Sequence, residues 1–321
     1  MKNCELRTNL ELVVPGKRDD IKSTEKKDKI LKIIGLIISY SFIVVCAIII
    51  LFPFYYMIIA SFMAEAELKT ASTFFPTQGN FIENIVYNYT ETLQRFNYFK
   101  YVRNTLITGV VTTGLQVLVT ILSAFAFARL KFRGKDLLFT AFLATMMIPG
   151  EMMVITNYQT MSNLGLIAGA KQNWFQAFSV MILPFIASVF YIYLLRQNFK
   201  QIPNELYFAA KVDGKSDWEY LWKVMVPLAS PTIITIGILG LLGSWNAYVW
   251  PNLVVNNDEY KLVSVALRGA TLTLEERPDT FVTQTSWVMA STVLVTLPLL
   301  ILFVIFRKYI MSGVGRAGIK G

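Results

Sequence analysis

The chain has 321 residues, 55% hydrophobic and 16% charged, against about a quarter charged in an ordinary soluble domain, which excludes a water-facing globule. Its formal net charge is +9, but the basic residues fall in short segments between long apolar runs, where they set membrane topology and do not form a nucleic-acid surface. The absence of any histidine removes the usual general base, the usual zinc ligand and every Ser-His or Cys-His nucleophile, so no residue is assigned a catalytic or metal-binding role.

Residues 1–32 are polar and of mixed charge, with Lys17-Arg18-Asp19-Asp20 and Lys26-Lys27-Asp28-Lys29 and few aromatics; this composition predicts a disordered tail. Cys4 lies in that tail and Cys46 inside the first apolar run, so no disulfide is expected between them. The run lacks a small-residue cleavage pattern behind it, which predicts an anchor that is retained.

Residues 33–321 read as a membrane domain. Stretches long enough to cross ~30 Å of hydrocarbon, which takes about twenty helical residues, run from Ile33 to Ala60, Asn104 to Ala128, Leu137 to Asn157 (with one acid, Glu151), Trp174 to Leu195, Val224 to Asn252 and Phe281 to Phe306. Barrel strands would alternate polar and apolar residues, and these stretches do not. The expected fold is therefore all-α, with six transmembrane helices.

Of the 30 Lys and Arg residues, 22 lie in the tail, in the loops Arg129–Lys135 and Arg196–Lys223, and after Phe306. By the positive-inside rule those segments and both termini are cytoplasmic. The outer segments are then Ser61–Arg103, Tyr158–Asn173 and Leu253–Thr280, the first and last long enough for short surface helices. Prolines at Pro53, Pro149, Pro184, Pro227, Pro231 and Pro298 fall in or at the ends of spans, where they can bend helices.

The most informative stretch is the cytoplasmic loop at about 198–225, running Ile202-Pro203-Asn204-Glu205-Leu206-Tyr207-Phe208-Ala209-Ala210-Lys211-Val212-Asp213-Gly214-Lys215-Ser216-Asp217-Trp218-Glu219 and on to Val226-Pro227. It predicts two short helices and a turn: Asn204 caps the first, Gly214 supplies the left-handed residue that ends it, and Ser216 with Glu219 forms a capping box for the second. Ala209 and Ala210 leave a shallow surface suited to close docking of another protein.

On Ala209, Ala210, Asp213, Gly214 and Pro227 this segment resembles the EAA loop of binding-protein-dependent ABC transporter permeases. The resemblance extends through Trp245-Asn246-Ala247-Tyr248-Val249-Trp250-Pro251 to Arg307-Lys308-Tyr309 and Gly313–Gly321, and is similar to the carbohydrate-uptake branch of the maltose permease, MalG-like type. It implies a type I importer permease in a bacterial cell membrane. The implied partners are a second, homologous permease, two ABC ATPase subunits that bind the ATP and magnesium, and an extracytoplasmic solute-binding protein docked on Leu253–Thr280. The tail Gly313–Gly321 is expected to reach toward the ATPases. No cofactor is expected in this chain, and it is a transport subunit, not an enzyme.

One residue departs from the family's pattern, because Phe208 stands where the resemblance calls for Glu. In the family that carboxylate pairs with a basic residue of the ATPase; here Glu205, one turn earlier on roughly the same face, takes the role, or Phe208 makes the contact apolar. Glu205, Phe208, Ala209, Ala210, Asp213 and Gly214 are thus the candidate coupling residues.

Other signals are weaker. Gly214-Lys215-Ser216 looks like the end of a phosphate-binding loop, but the position that needs the first glycine is Ala209 and no strand precedes it. Glu151 in the third span is costly unless it faces protein or water, so it is a candidate pathway residue or a pairing near the outer interface. Trp245, Asn246, Tyr248, Trp250 and Asn252 gather at the outer end of the fifth span, as sugar contacts or as an interfacial belt. The rival functions are a secondary transporter or channel, which needs its own ion site at mid-membrane, and an importer for glycerol phosphate or a polyol.

Overall fold

The computed structural model describes residues 17–70, 75–76, 80–269, 273–277 and 280–315. It divides into a unit ending at Met57 and a larger one from Ile58 onward. The first unit carries most of α1 (Lys17–Phe62), a helix that passes through Pro53 without a break. The helix begins at Lys17, so the tail expected to be disordered up to residue 32 is helical over its second half; residues 1–16 lie outside the described residues. The apolar run behind residues 17–29 supplies the nucleus from which the helix extends back into this segment.

In the larger unit, α2 (Glu65–Thr70) and α3 (Phe81–Arg95) are the short surface helices expected before the second span. The span itself is α4 (Tyr98–Ala128), uninterrupted. The next three spans are each broken. Helices α5 (Lys135–Thr145) and α6 (Met153–Asn163) meet at 83° across Pro149. Helix α7 (Trp174–Ile182), extended by a 3-10 turn through Pro184 to Phe185, meets α8 (Val189–Gln201) at 50°. The loop helix α9 (Asn204–Val212) follows.

Helix α10 (Asp217–Tyr220) continues through a π turn at Leu221–Met225 into α11 (Val226–Leu228), and this segment meets α12 (Ser230–Asn246) at 78°. Pro227 has no N–H to give and its ring crowds the carbonyl four residues back, so the preceding turn widens and Val226 N–H bonds Leu221 O five residues back. The chain closes with α13 (Val249–Val254), α14 (Val263–Gly269), an antiparallel pair β1 (Thr273–Arg277) and β2 (Thr280–Thr283), and α15 (Thr285–Gly315), which runs unbroken through Pro298.

Among the described residues three helices are long and apolar enough to cross a membrane, and each bent pair counted as one span brings the number to six. The helical expectation therefore holds, with one correction: the sixth span begins after Phe281, because residues 280–283 pair as a strand. Of the expected reach of Gly313–Gly321, residues 316–321 lie outside the described residues.

Helix α4 is the post around which the larger unit packs. One buried cluster joins Ile121, Ala124 and Phe125 of α4 to Leu195 and Phe199 of α8, Tyr220, Leu221 and Met225 of the segment after α9, and Ile236 of α12. A second joins Met161, Val180, Met181, Trp250 and Val254, and a third joins Phe96, Trp245, Val263 and Trp287. Down α4 runs a buried polar stripe, Asn104, Thr108, Thr112, Gln116 and Thr120, at four-residue spacing. Asn104 Nδ2 donates to Glu259 O (2.8 Å) and Lys261 O (3.2 Å), and Gln116 Nε2 to Phe185 O (2.9 Å); both tie extended or broken backbone, with its orphan carbonyls, to the post.

Candidate functional site

The loop after α8 is built as two helices around one turn, as its residues predict, though the caps differ. Gly214 sits at φ +71°, with Lys215 N–H on Ala210 O (2.9 Å) and Gly214 N–H on Lys211 O (3.1 Å). This is the paired-bond ending in which a left-handed glycine lets two orphan carbonyls be satisfied. Ser216 Oγ accepts from Glu219 N–H (3.2 Å), giving half of the expected capping box. The reciprocal half is not formed, because Glu219 Oε1 takes Lys223 Nζ at 2.8 Å. Asn204 is not the cap of α9: Pro203 holds that place, and Asn204 Oδ1 accepts a hydrogen bond from Arg129 Nη1.

The two helices of the loop are bolted together. Tyr207 O–H donates to Asp217 Oδ1 (2.8 Å), Lys211 Nζ lies 2.9 Å from the same oxygen, and the Tyr207 and Tyr220 rings meet edge to face at 5.1 Å. Lys211, with Tyr207, holds the Asp217 carboxyl below the usual aspartate range, while burial pushes the Tyr207 phenol up. A carboxyl lowered by folding adds stability above its unfolded pKa and loses it as pH falls through the folded one. The bolt is therefore closed at neutral pH and opens only in acid. Tyr207→Phe is expected to loosen α9 against α10 by about 1 kcal/mol at neutral pH, discounted for partial exposure. Faster hydrogen exchange in 204–220 would show it, and the difference from wild type should shrink in acid.

The coupling candidates divide between the helix's two faces. Glu205, Phe208, Ala209 and Val212 lie on one side, at spacings of three and four, and all are exposed, Phe208 at 62% and Val212 at 88%. Asp213 and Gly214 at the turn are exposed too. Ala210 is different, because it is half-buried and packs with Tyr207 on the cluster that holds Phe125 and Phe199. Of the two alanines expected to leave a shallow docking surface, only Ala209 is exposed, and Ala210 packs against the chain's own spans.

At the opposite end, Glu151 is exposed within the 3-10 turn Gly150–Met152 at the 83° break. Asn246 ends α12 exposed, its Nδ2 donating to Leu242 O (2.9 Å). Tyr248 is half-buried under the Arg268 guanidinium, 4.3 Å from its ring centroid. Trp245 is not available to stack on a ligand: it is 2% exposed and belongs to the core cluster with Trp287 and Phe96. Its place at the outer end of a span gave it the look of a surface aromatic, and only the fold of α14 and α15 over it shows otherwise. Among the described residues no group of three acids or cysteines is placed to hold a metal.

Residues 116–316 match the family described as binding-protein-dependent transport system inner membrane component. Among curated relatives, the arabinooligosaccharide transport system permease protein AraQ of Halalkalibacterium halodurans is 27% identical over 89% of this chain and 96% of its own. The lactose transport system permease protein LacG of Rhizobium radiobacter is 26% identical over 86% and 94%. The sn-glycerol-3-phosphate permease protein UgpE of Brucella abortus is 23% identical over 86% and 95%. A chain in the crystal structure of a bacterial ABC transporter that imports the acidic polysaccharide alginate shares the fold, with a TM-score of 0.73 at 24% identity over 88% of this chain and 97% of that one.

Proposed function

Because the chain belongs to the binding-protein-dependent transport system inner membrane component family, we propose that it is one of two permease subunits of an ATP-driven importer for a carbohydrate, coupled to its ATPase through α9. The observation that carries the reading is the exposed face of Glu205, Phe208, Ala209 and Val212, which stands clear of the chain's own core on a helix held rigidly from behind. Relatives named for arabinooligosaccharide and lactose transport support a sugar as substrate.

In this reading the second permease completes the pathway, and two ATPase subunits carry ATP and magnesium. A solute-binding protein delivers the sugar to the outer side, at the segment that includes α14 and the β1–β2 pair. The chain itself performs no bond chemistry. Glu151, Asn246 and Tyr248 line the outer half of the path: a carboxylate and an amide hydrogen-bond sugar hydroxyls and the phenol ring offers an apolar face.

The test is uptake by the assembled importer in proteoliposomes, with all partners present. ATP-dependent, vanadate-sensitive accumulation of a sugar that stops when the binding protein is left out is the expected result. Uphill transport by this chain alone would overturn the reading. In the same assay Glu151→Gln is expected to weaken apparent sugar affinity by about tenfold, the loss of one charged hydrogen bond; unchanged affinity removes Glu151 from the path. One relative is named for sn-glycerol 3-phosphate, and competition by that anion separates the two substrate classes.

A further inference from the structure

The covalent chain joins α9 directly to α8 before it and, through Asp217–Leu228, to α12 after it. Helix α4, the post of the larger unit, has no such connection to α9. Tyr207 and Ala210 of α9 pack on the cluster that holds Phe125 of α4, and Arg129, which reads in sequence only as a topology marker, adds a polar tie, with Arg196 bracing α8 against α4.

Arg129 is the residue at which α4 ends. One guanidinium nitrogen, Nη2, donates to Phe199 O (3.0 Å) and Ile202 O (2.5 Å), the carbonyls with which α8 ends, and the other, Nη1, donates to Asn204 Oδ1 in the first turn of α9. Arg196 makes the reverse connection from α8, its Nε donating to Phe127 O (3.0 Å) in the last turn of α4. Arg196 is 5% exposed, lies 3.8 Å over the Phe139 ring and has Asp136 at 3.9 Å. Each helix thus donates a cation to carbonyls at the C-terminal end of the other, the position where the helix dipole favours positive charge. The planar guanidinium holds three acceptors from two nitrogens in a fixed fork, a geometry that the single ammonium nitrogen of a lysine does not reproduce.

We infer that Arg129 is a positioning residue that makes the second span move as one body with the coupling helix. The inference rests on the coupling reading given above. Displacement of Asn204 and the α8 terminus by a partner pulls the end of α4, and α4 packs on α8 near that end and along α12 as far as Gly109. The motion thereby reaches the break at Pro184, since Gln116 of α4 holds Phe185 O.

The experiment compares wild type, Arg129→Met and Arg129→Lys in the assembled importer, measuring binding-protein-stimulated ATP hydrolysis and solute uptake in the same vesicles. Arg129→Met is expected to retain bound ATPase subunits and stimulated hydrolysis while solute moved per ATP falls by about tenfold. Arg129→Lys, which keeps the charge and loses the fork, is expected to stay within about threefold of Met, and it decides the matter if the Met variant fails to assemble. Unchanged uptake per ATP, recovery of coupling by lysine, or an equal loss of hydrolysis and uptake overturns the assignment. Wild-type vesicles without ATP-dependent uptake would instead sink the coupling reading itself.

Discussion

Phe208→Asp is expected to abolish ATP-driven uptake in an importer whose permease still inserts in the membrane. The ring is 62% exposed on a helix whose other face is fixed by Tyr207 and Ala210, so its apolar surface is free for a partner. Interface aromatics that become fully buried are worth about 2 kcal/mol or more, and a carboxylate in the same socket adds desolvation without an assured counter-charge. Phe208→Ala is expected to weaken ATPase docking by about thirtyfold, the equivalent of ~2 kcal/mol. Phe208→Glu, which restores the acid of the related motif, should do no better than Ala, and Glu205→Lys should leave uptake within about threefold.

Copurification of the ATPase with each variant provides the measurement. A Phe208→Glu variant that docks as well as wild type would show that the partner keeps a basic residue there and that the contact is ionic. Bulk at the neighbouring alanines should act differently on the two faces. Ala209→Trp blocks the partner, whereas Ala210→Trp drives into the permease's own core, where overpacking costs about 1–3 kcal/mol. Ala210→Trp is therefore expected to lower the stability and yield of the permease itself, and Ala209→Trp to lower ATPase docking alone.

Gly240→Leu is expected to lower the yield and thermal stability of the purified complex more than any other single glycine substitution in α12. A Cβ at Gly240 would stand 2.9 Å from Gln116 Oε1 and 3.3 Å from Thr113 Cγ2 and Oγ1. Gln116 is not a free side chain that can swing aside, because its Nε2 holds Phe185 O at 2.9 Å. Adding side-chain volume thus either pushes α12 off α4 or breaks a hydrogen bond inside a membrane protein, at about 2–4 kcal/mol in sum. At Gly237 a Cβ would meet nothing within 4 Å, so Gly237→Ala should be neutral or gain the usual helix preference of about 1 kcal/mol. Equal melting temperatures for the two variants would show that the α4–α12 seam does not depend on this close approach.

Much of the site's local geometry was legible residue by residue. Gly214 announces a left-handed helix end, Ser216 a cap, and both are found, because they depend on backbone and neighbours within a few positions. Asn204 was misread because its side chain is claimed by Arg129, seventy-five positions earlier in the chain. The polar stripe of α4 carried a signal, threonines and a glutamine every four residues, that marks a buried face in a membrane helix, but not which backbone it would serve. Arg129 and Arg196 looked like charge for topology; nothing in their own neighbourhood reveals that they point at each other's helix ends.

By itself, then, the order of residues determined the apolar stretches long enough to cross a membrane, the helical class, the family and the two short helices that meet at Gly214. Those follow from hydrophobic length and local caps, which act over less than one helix. Tertiary structure alone decided which face of α9 is free, that Trp245 belongs to the core, where three spans break and how far, and that α4 is tied to the loop by Arg129. Each of these depends on hydrogen bonds or packing between segments tens to hundreds of residues apart, where a buried polar group must find a partner and only the folded arrangement says which one it finds.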